Sequence, residues 1–312
     1  MSDEAMAIGE IHTALLQHSV ALPNETVRRL LAWSSDDPVR VSERPLTRAV
    51  SPVVLTGVDC ALLTSKKSAR GIGTVGSSVA IVDGRVLQSS SFVRLVRVES
   101  SRRLPWSYYL SRPATVDVQG RASDAAVVDG FAAGEPEDDR GLDLGAISTR
   151  AMGRVTGSAE LDRRPPFRIQ RNRFRWTWSG RRDDGRAGSV RFRMTGDFER
   201  TVRLAVDGVD LDDVVDLCTD LALHDFLLTT LQRLLNRARE TGSPLAGRLR
   251  PAVEQLLHLW MPGAHLTPAL APVWAGFERD PGFSRQWDAS VNRVRDQIAV
   301  ATLALLESTA SD

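Results

Sequence analysis

The spacing of apolar residues changes near residue 210, and this change limits the folds open to the chain more than any other feature of the sequence. Before that point the apolar runs are short, either alternating or continuous, and bounded by Gly, Pro, Ser and Asp, as is typical of β-strands. After it, apolar residues recur at helical spacing. We therefore expect an α+β protein, with an antiparallel β-rich N-terminal two-thirds followed by a C-terminal antiparallel bundle of about four helices.

Within this plan the sequence predicts four segments. The clearest hairpin turn is Asp83-Gly84, whose residues tolerate positive φ, and a short helix begins near Glu25. A stretch rich in Gly and acidic residues, within 132–145, predicts a loop. The segments are residues 1–131, an N-terminal β-rich part with a short early helix; 132–145, an acidic loop; 146–209, a second group of antiparallel strands with an arginine-rich hairpin; and 210–312, the helical bundle.

The helical segment has clear start signals. Asp210 and the aspartates after it suit the positive end of a helix that we expect to run to about Arg239. Three further helices are expected where a capping residue precedes proline, which fits the first helical position. These pairs are Ser243-Pro244, Thr267-Pro268 and Asp280-Pro281.

Composition and charge exclude several classes of protein. A formal net charge of +1 argues against binding polyanions with the whole surface. The two cysteines, Cys60 and Cys218, are too few for a disulfide scaffold, which favours a reducing cytoplasm. No apolar run approaches the roughly 18 residues that span a bilayer, and the acidic start does not resemble a secretory signal. We expect a cytoplasmic protein without a membrane span.

No cofactor or metal is expected from the motifs. The stretch Gly71 to Gly76, "GIGTVG", matches the glycine pattern of a dinucleotide-binding turn. A strand and a turn follow it, so no helix N-terminus would face a phosphate. The five histidines form no cluster at metal-ligand spacing.

Four residues are candidates for chemistry, although a structural role is the stronger expectation for each. Cys60 follows Asp59, a negative neighbour that disfavours the thiolate. His224 precedes Asp225 inside an apolar helix, where a histidine is a general base less often than a hydrogen-bonded structural residue. Cys218 is expected to be a buried apolar residue.

The stretch "SRRLPWSYYLSRP" interleaves aromatic residues with arginines. Such residues stack on bases, cage ligands or form protein interfaces. The alternative, which we favour, is a proline-initiated helical turn that packs the tryptophan and a tyrosine onto the sheet. The candidates are Arg102, Arg103, Trp106, Tyr108, Tyr109 and Arg112.

An arginine ladder follows the alternation of two strands between residues 171 and 196. Arg173 and Arg175 share one face of the first strand, Arg191 and Arg193 share one face of the second, and Arg203 continues the pattern. If the two strands pair, four guanidinium groups lie side by side and need a counter-charge. An external anion or an acidic partner would supply it, but the preferred sources are internal: the Asp207 to Asp220 stretch or the acidic loop at Glu135 to Asp139. The opposite face, with Phe174, Trp176, Trp178 and Phe192, is expected to pack against the helices.

Several blocks of the sequence resemble an actinobacterial family of uncharacterised proteins, typified in Streptomyces. They cover most of the chain and include "TGVDC", "RRLPWSYYLSRP", "LDLGAI", "CTDLALHDFLLTTL" and "PGFSRQWDASVNRVRDQIAVATLALL". The resemblance implies a conserved gene cluster that also encodes a ParA/MinD-like ATPase and a methyltransferase-like protein. It carries no catalytic residues over to this chain.

Three functions stay open at this point. The preferred one is a non-catalytic binding or scaffolding component of a multi-protein cytoplasmic assembly, with protein partners such as the ParA-like ATPase; homo-oligomerisation is an open alternative. A second is an enzyme of a specialised, natural-product-like pathway, with its site between the β part and the helices. The third, less favoured, is binding of nucleic acid or phosphate by the arginine face.

Overall fold

The computed structural model describes residues 6–34, 37–64, 69–100, 102–134, 141–180, 189–206, 208–240, 250, 254–263 and 267–310. Within these residues ten strands form one sheet, flanked by helices on both faces. The strands are β1 (Met6–Leu15), β2 (Arg40–Ser42), β3 (Arg48–Val50), β4 (Val54–Leu62), β5 (Ala69–Val82), β6 (Val86–Arg97), β7 (Thr115–Gly120), β8 (Asn172–Ser179), β9 (Ser189–Met194) and β10 (Glu199–Ala205).

The sheet joins the two predicted groups of strands. Its order is β2-β3-β5-β7-β6-β1-β8-β10-β9, and β4 pairs with β5. Because β1 lies between β6 and β8 and is antiparallel to both, the strands after residue 146 extend the same sheet. The expectation of antiparallel strands is correct only in part, since β6 with β7 and β8 with β10 form parallel pairs.

The hairpin between β5 and β6 forms as predicted. Asp83 and Gly84 take positive φ angles of 50° and 61°, as a two-residue turn between twisted strands requires. A side chain on Gly84 would also meet the chain, because a Cβ there would lie 2.3 Å from the carbonyl oxygen of Leu22. Only glycine fits this position without strain.

Helices cover both faces of the sheet. On one face, α1, α3 and α4 pack on β1, β3, β4, β5, β6 and β8. On the other, α5 packs on β1, β6 and β8, while α6 contacts β9 and α7 contacts α5 and α6. The helices are α1 (Asn24–Leu31), α2 (Trp106–Leu110), α3 (Asp124–Ala133), α4 (Leu144–Thr156), α5 (Leu211–Glu240), α6 (Ala271–Arg279) and α7 (Phe283–Ala310).

The aromatic side of the arginine strands packs against the helices, as the alternation predicts. Phe174, Trp176 and Trp178 are buried in one cluster with the leucines of α5. Phe192 lies edge-on against Phe277 of α6, 6.3 Å between ring centroids, and is also close to the first residue of α7. Period-two alternation therefore assigns the two faces of these strands correctly.

The helical prediction needs three corrections. Helices α3 and α4 were not expected, and their ends reach into the predicted loop at 132–145. The predicted start at Asp280-Pro281 lies early, because α7 begins at Phe283. The bundle is confirmed only in part: α5 lies across the sheet, and Ser243-Pro244 falls outside the described residues. Among the helices described here, none combines the length and the apolar character that crossing a bilayer demands.

Candidate ligand-binding cleft

A cleft of about 410 Å³ lies between the sheet and the first half of α5. Its lining includes neighbouring residues of β5 and β6, where Ser78 pairs with Ser90 and Ala80 pairs with Gln88. Because three of these side chains are small, the space between sheet and helix stays open here. On β8, which lies on the far side of β1 from β6, Trp176 and other aromatic rings fill that space. We call this space the Arg48 cleft, after the arginine of β3 that lines it.

Two polar side chains on β6 face this cleft. Ser90 is only 4% exposed, and among the described residues its hydroxyl has no hydrogen-bond partner. Gln88 donates both N–H groups of its amide, to Thr13 Oγ1 at 3.2 Å and to the carbonyl oxygen of Thr219 at 2.9 Å. Its amide oxygen is left as a fixed acceptor. The cleft is therefore lined by a serine whose hydroxyl has no described hydrogen-bond partner and by a glutamine whose amide can only accept a further hydrogen bond.

Charged side chains surround the same cleft. Arg48 donates from Nη2 to Asp216 Oδ1 of α5 at 3.2 Å. The Arg48 side chain is 15% exposed and that of Asp216 is 49% exposed, so the positive group is the more deeply placed of the two. Asp37, Arg40 and Asp212 also line the cleft and are exposed. A polar floor thus lies beneath a charged rim.

Arg48 also borders two neighbouring spaces. A groove of about 310 Å³ shares Arg40, Arg48 and Asp216 with the cleft. A cavity of about 10 Å³ lies against Arg48, Asp220 and His224. Three buried atoms of these residues have no described hydrogen-bond partner: Arg48 Nε, Asp220 Oδ2 and His224 Nε2. A polar cavity of this size has room for one water molecule.

A scan against protein-family models gives no match for the chain, and searches of curated proteins and of solved structures also give none. The site is therefore assigned from its own geometry. Within the described residues no group of three or more His, Cys, Asp or Glu side chains is placed to hold a metal ion.

The predicted pairing of the arginine strands is wrong. β10 lies between β8 and β9, parallel to the first and antiparallel to the second. Arg173 and Arg175 therefore do not lie beside Arg191 and Arg193. Instead Arg203 faces Arg191 across β10 and β9, with Thr201 opposite Arg193. The ladder spreads over three strands, which lowers its charge density.

The counter-charge for the first two arginines comes from β1. Glu10 is 1% exposed and pairs with Arg173, which donates from Nε to Oε1 and from Nη2 to Oε2 at 3.2 Å. Arg175 Nε lies 3.5 Å from Glu10 Oε2, and His12 Nε2 lies 2.8 Å from Oε1. Gly145 makes this approach possible, because a Cβ there would lie 2.5 Å from Glu10 Oε1.

The pKa of Glu10 records this environment. Burial by itself would raise the pKa, but the hydrogen bonds from His12 and Arg173, together with the charge of Arg173, lower it from 4.5 to about 2. The carboxylate is therefore ionised at neutral pH inside the protein. The network is an internal ion cluster, and Arg175 also donates to the carbonyl oxygen of Gly134 at 3.0 Å.

The expected counter-charge from Asp207 to Asp220 is also corrected. From Leu211 onward this stretch lies on α5, which packs on the aromatic face, so its aspartates are on the wrong side of the sheet. Arg203 pairs instead with Asp129 of α3. Arg191 and Arg193 are exposed on β9 and have no ion-pair partner among the described residues. Asp207 and the loop Glu135 to Asp139 lie outside those residues.

The aromatic and arginine stretch forms α2 on top of β4 and β5. Tyr109 is buried, and its hydroxyl accepts from the backbone N–H of Leu104 at 3.1 Å. Arg112 donates to Tyr108 Oη at 2.6 Å and to Asp117 Oδ1 at 2.7 Å. Trp106 stays partly exposed, with Arg103 5.3 Å from its ring centre. Arg102 is exposed. The preferred expectation of a helical turn that packs on the sheet holds for Tyr109, whereas Trp106, which was expected to pack there as well, keeps 38% of its surface exposed.

The chemistry candidates do not form a reaction centre. Asp59 forms a bidentate ion pair with Arg70, at 2.7 and 2.9 Å. The hydrogen bond from Arg70 and the charges of nearby arginines lower the pKa of Asp59, although burial opposes this shift. Burial and the charge of Asp59 raise the pKa of the Cys60 thiol to about 11. Burial also raises the pKa of Cys218 well above its usual range. Both thiols are therefore poor nucleophiles at neutral pH.

His224 and Asp225 point into different surroundings. His224 Nδ1 lies 2.7 Å from the carbonyl oxygen of Asp220, which requires a proton on Nδ1, and its ring sits edge-on against Trp260. Asp225 accepts from Arg200 Nε at 2.8 Å and from the amide of Asn172 at 3.0 Å. Burial raises the pKa of Asp225 against the opposing effect of these two partners. Only His224 borders a space connected with Arg48.

Sequence reasoning missed the residues of the Arg48 cleft. One signal was available: "QSSSF" places Gln88 and Ser90 on one face of a central strand, where apolar residues are usual. The remaining lining comes from β2, β3, β5, α5 and the segments next to β2 and β3. Arg48 and Asp216 are 168 residues apart in sequence.

Proposed function

We propose that the protein is a non-catalytic binding component that holds a small polar molecule in the Arg48 cleft. The observation that carries the proposal is the hydroxyl of Ser90, buried on the cleft floor without a described partner. An unpaired buried hydroxyl costs on the order of 1–3 kcal/mol, and a bound molecule that pairs with it removes that cost. A few polar groups converging in one concave space are the usual form of a ligand site.

Binding without catalysis is supported by the state of the reactive groups. The Cys60 thiol has a pKa of about 11, and Asp225 is held in an ion pair with Arg200. His224 directs Nδ1 to a backbone carbonyl. The enzyme alternative placed its site between the β part and the helices, which is where the cleft lies, but the predicted chemistry residues do not line it.

The test compares two neighbouring serines of β6. Ser90→Ala removes the hydroxyl that faces the cleft and has no described partner, whereas Ser91→Ala removes a hydroxyl on the opposite face that donates to the carbonyl oxygen of Leu144 at 2.6 Å. A thermal-shift screen of small polar molecules on the full chain identifies a ligand. Ser90→Ala is expected to fold at least as stably as the wild type and to lose ligand affinity.

Ser91→Ala is the matched control. It is expected to lose stability by about 1 kcal/mol and to keep its ligand affinity. A screen in which no small polar molecule raises the melting temperature contradicts the proposal, because a cleft filled only by water gives no ligand-dependent stabilisation. Equal ligand affinity in wild type and Ser90→Ala also contradicts it.

A second candidate function is that of a component of a multi-protein cytoplasmic assembly. It is favoured by the last part of α7, where several apolar side chains are exposed and residues 297–306 include no charge: Ile298, Val300, Leu303 and Leu306. We assign this surface to an apolar helix face of a partner protein. The arginine face gives less support to nucleic acid as the partner, because Glu10 and Asp129 already pair with it.

The assembly is tested by co-expressing the full chain with the products of neighbouring genes and measuring the mass of the complexes by light scattering. Replacing Val300 and Leu303 with Gln is expected to dissociate the complex. The melting temperature of the chain alone is expected to stay the same, because both side chains are exposed. A chain that stays monomeric with every neighbour, or a complex that survives the substitutions, contradicts this second function.

A further inference from the structure

The charge buried deepest in the Arg48 cleft is positive. The Arg48 side chain is 15% exposed, whereas Asp216 is 49% exposed and Asp37 and Asp212 are also exposed. Charges at the rim keep most of their hydration, and a charge in the lower dielectric of the interior acts more strongly on a bound molecule. The interior of the cleft therefore favours an anionic group, although aspartates outnumber arginines among the lining residues.

The aspartates of α5 have a separate explanation. Asp212 lies in the first turn of α5, where the unpaired backbone N–H groups and the helix dipole favour a negative side chain. Asp216 is one turn further along and meets Arg48 through one described hydrogen bond. A guanidinium group carries five N–H donors in a planar fork that matches a carboxylate or a phosphate. Arg48 therefore keeps donors beyond the one that Asp216 accepts.

The side chains on the floor of the cleft favour hydroxyl groups of a ligand over further negatively charged groups. Both N–H groups of the Gln88 amide are already donated, so this side chain offers a ligand only its amide oxygen, which accepts a hydrogen bond. The hydroxyl of Ser90 both donates and accepts. An anionic oxygen next to the Gln88 oxygen would be repelled, whereas a ligand hydroxyl pairs with both side chains.

We infer that the Arg48 cleft takes a small hydroxylated anion, a polyol bearing one carboxylate or phosphate, whose acidic group pairs with Arg48 and whose hydroxyls pair with Ser90 and Gln88. This inference rests on the proposed function, binding of a small polar molecule. A volume of about 410 Å³ accommodates a molecule of monosaccharide size. Asp216 competes with the acidic group for Arg48, so its negative charge opposes binding.

Four probes on one sugar ring separate the possibilities: glucuronate, glucose 6-phosphate, glucose and glucosamine. Titration calorimetry on the full chain is expected to show binding of an acidic probe and at least about tenfold weaker binding of the neutral and amino sugars. The two acidic probes distinguish a carboxylate from a phosphate ligand.

Variants of the ion pair test the assigned residues. Arg48→Gln is expected to weaken binding of the acidic probe about tenfold or more, and Asp216→Asn is expected to strengthen it by removing the competitor. If Arg48→Gln does not fold, Arg48→Lys is the alternative variant. It keeps the positive charge but loses the planar guanidinium donors, and it is expected to weaken binding of the same acidic probe.

Three outcomes overturn the inference. If glucosamine binds most tightly and Asp216→Asn loses affinity for it, the cleft is a cation site. If glucose binds as tightly as the two acidic probes, charge has no role in binding. In both cases sensitivity to Ser90→Ala leaves the proposed function standing. If none of the four probes binds at millimolar concentration, the ligand class is wrong, and the proposed function then stands or falls with the wider screen.

Discussion

Replacing Glu10 with Gln removes the negative charge that holds two arginines of β8 inside the protein. Its pKa falls from 4.5 to about 2 in the folded chain, a difference of about 2.5 units or about 3 kcal/mol of stability at neutral pH. Glu10 is 1% exposed, so solvent screens this interaction little. Removing one partner of a buried ion pair costs about 3–5 kcal/mol in other proteins, which agrees with the value from the pKa.

The stability that Glu10 contributes depends on pH, and the lowered pKa determines the direction of that dependence. A carboxylate whose pKa is lowered by folding contributes its full stability above its unfolded pKa of 4.5 and loses it as the pH falls through about 2. The stability difference between wild type and Glu10→Gln is therefore about 3 kcal/mol at pH 7 and is expected to shrink by about 2 kcal/mol at pH 3.

Urea unfolding at the two pH values measures both quantities. Glu25→Gln is the matched control, because Glu25 is an exposed glutamate that pairs with Arg29 on the surface of α1, and its removal is expected to leave the unfolding midpoint unchanged. The reasoning fails if Glu10→Gln loses less than about 1 kcal/mol at pH 7, or if the difference is the same at pH 3.

Two other substitutions and one labelling reaction test separate parts of the structure. Asp225→Asn leaves its arginine partner buried without a counter-charge and is expected to cost about 3–5 kcal/mol in urea unfolding; an unchanged midpoint contradicts this. Because burial and Asp59 raise the pKa of Cys60 to about 11, its alkylation rate is expected to rise about tenfold per pH unit beyond pH 9, whereas an ordinary thiol levels off near 8.5. Gly84→Ala places a Cβ 2.3 Å from a carbonyl oxygen at φ 61° and is expected to lower the melting temperature; Gly134→Ala, with nothing within 4 Å, is the control, and equal effects refute the argument.

Local patterns in the sequence predict local structure well. The Asp83-Gly84 hairpin, the helix from Leu211 and the aromatic face of β8 follow from turn chemistry, capping and alternation. Glu10 and His12 alternate with apolar residues in β1, a signal for a polar cluster on one face that was available in the sequence. Helix α3 was missed because its own alanine and valine side chains lie on all sides of the helix, so the sequence shows no single apolar stripe.

Long-range arrangement is what the sequence leaves open. Adjacent arginine strands suggest a hairpin, but β10 enters between them as a parallel partner of β8, and no local pattern specifies that pairing. The Arg48 cleft is invisible for the same reason. Its lining comes from strands near residues 48 and 90 and from a helix near residue 216, which only the folded sheet brings together.

The position of β1 has a consequence for the synthesis of the chain. Glu10 leaves the ribosome 163 residues before Arg173, and at roughly 5–20 residues per second that interval lasts on the order of ten to thirty seconds. Throughout it, β1, an interior strand of the finished sheet, has one edge without its neighbour and a carboxylate without its counter-charge. The sheet is therefore completed when β8, β10 and β9 add to the open edge of β1. A nascent chain stalled before β8 is expected to expose that open edge to chaperones or to other nascent chains.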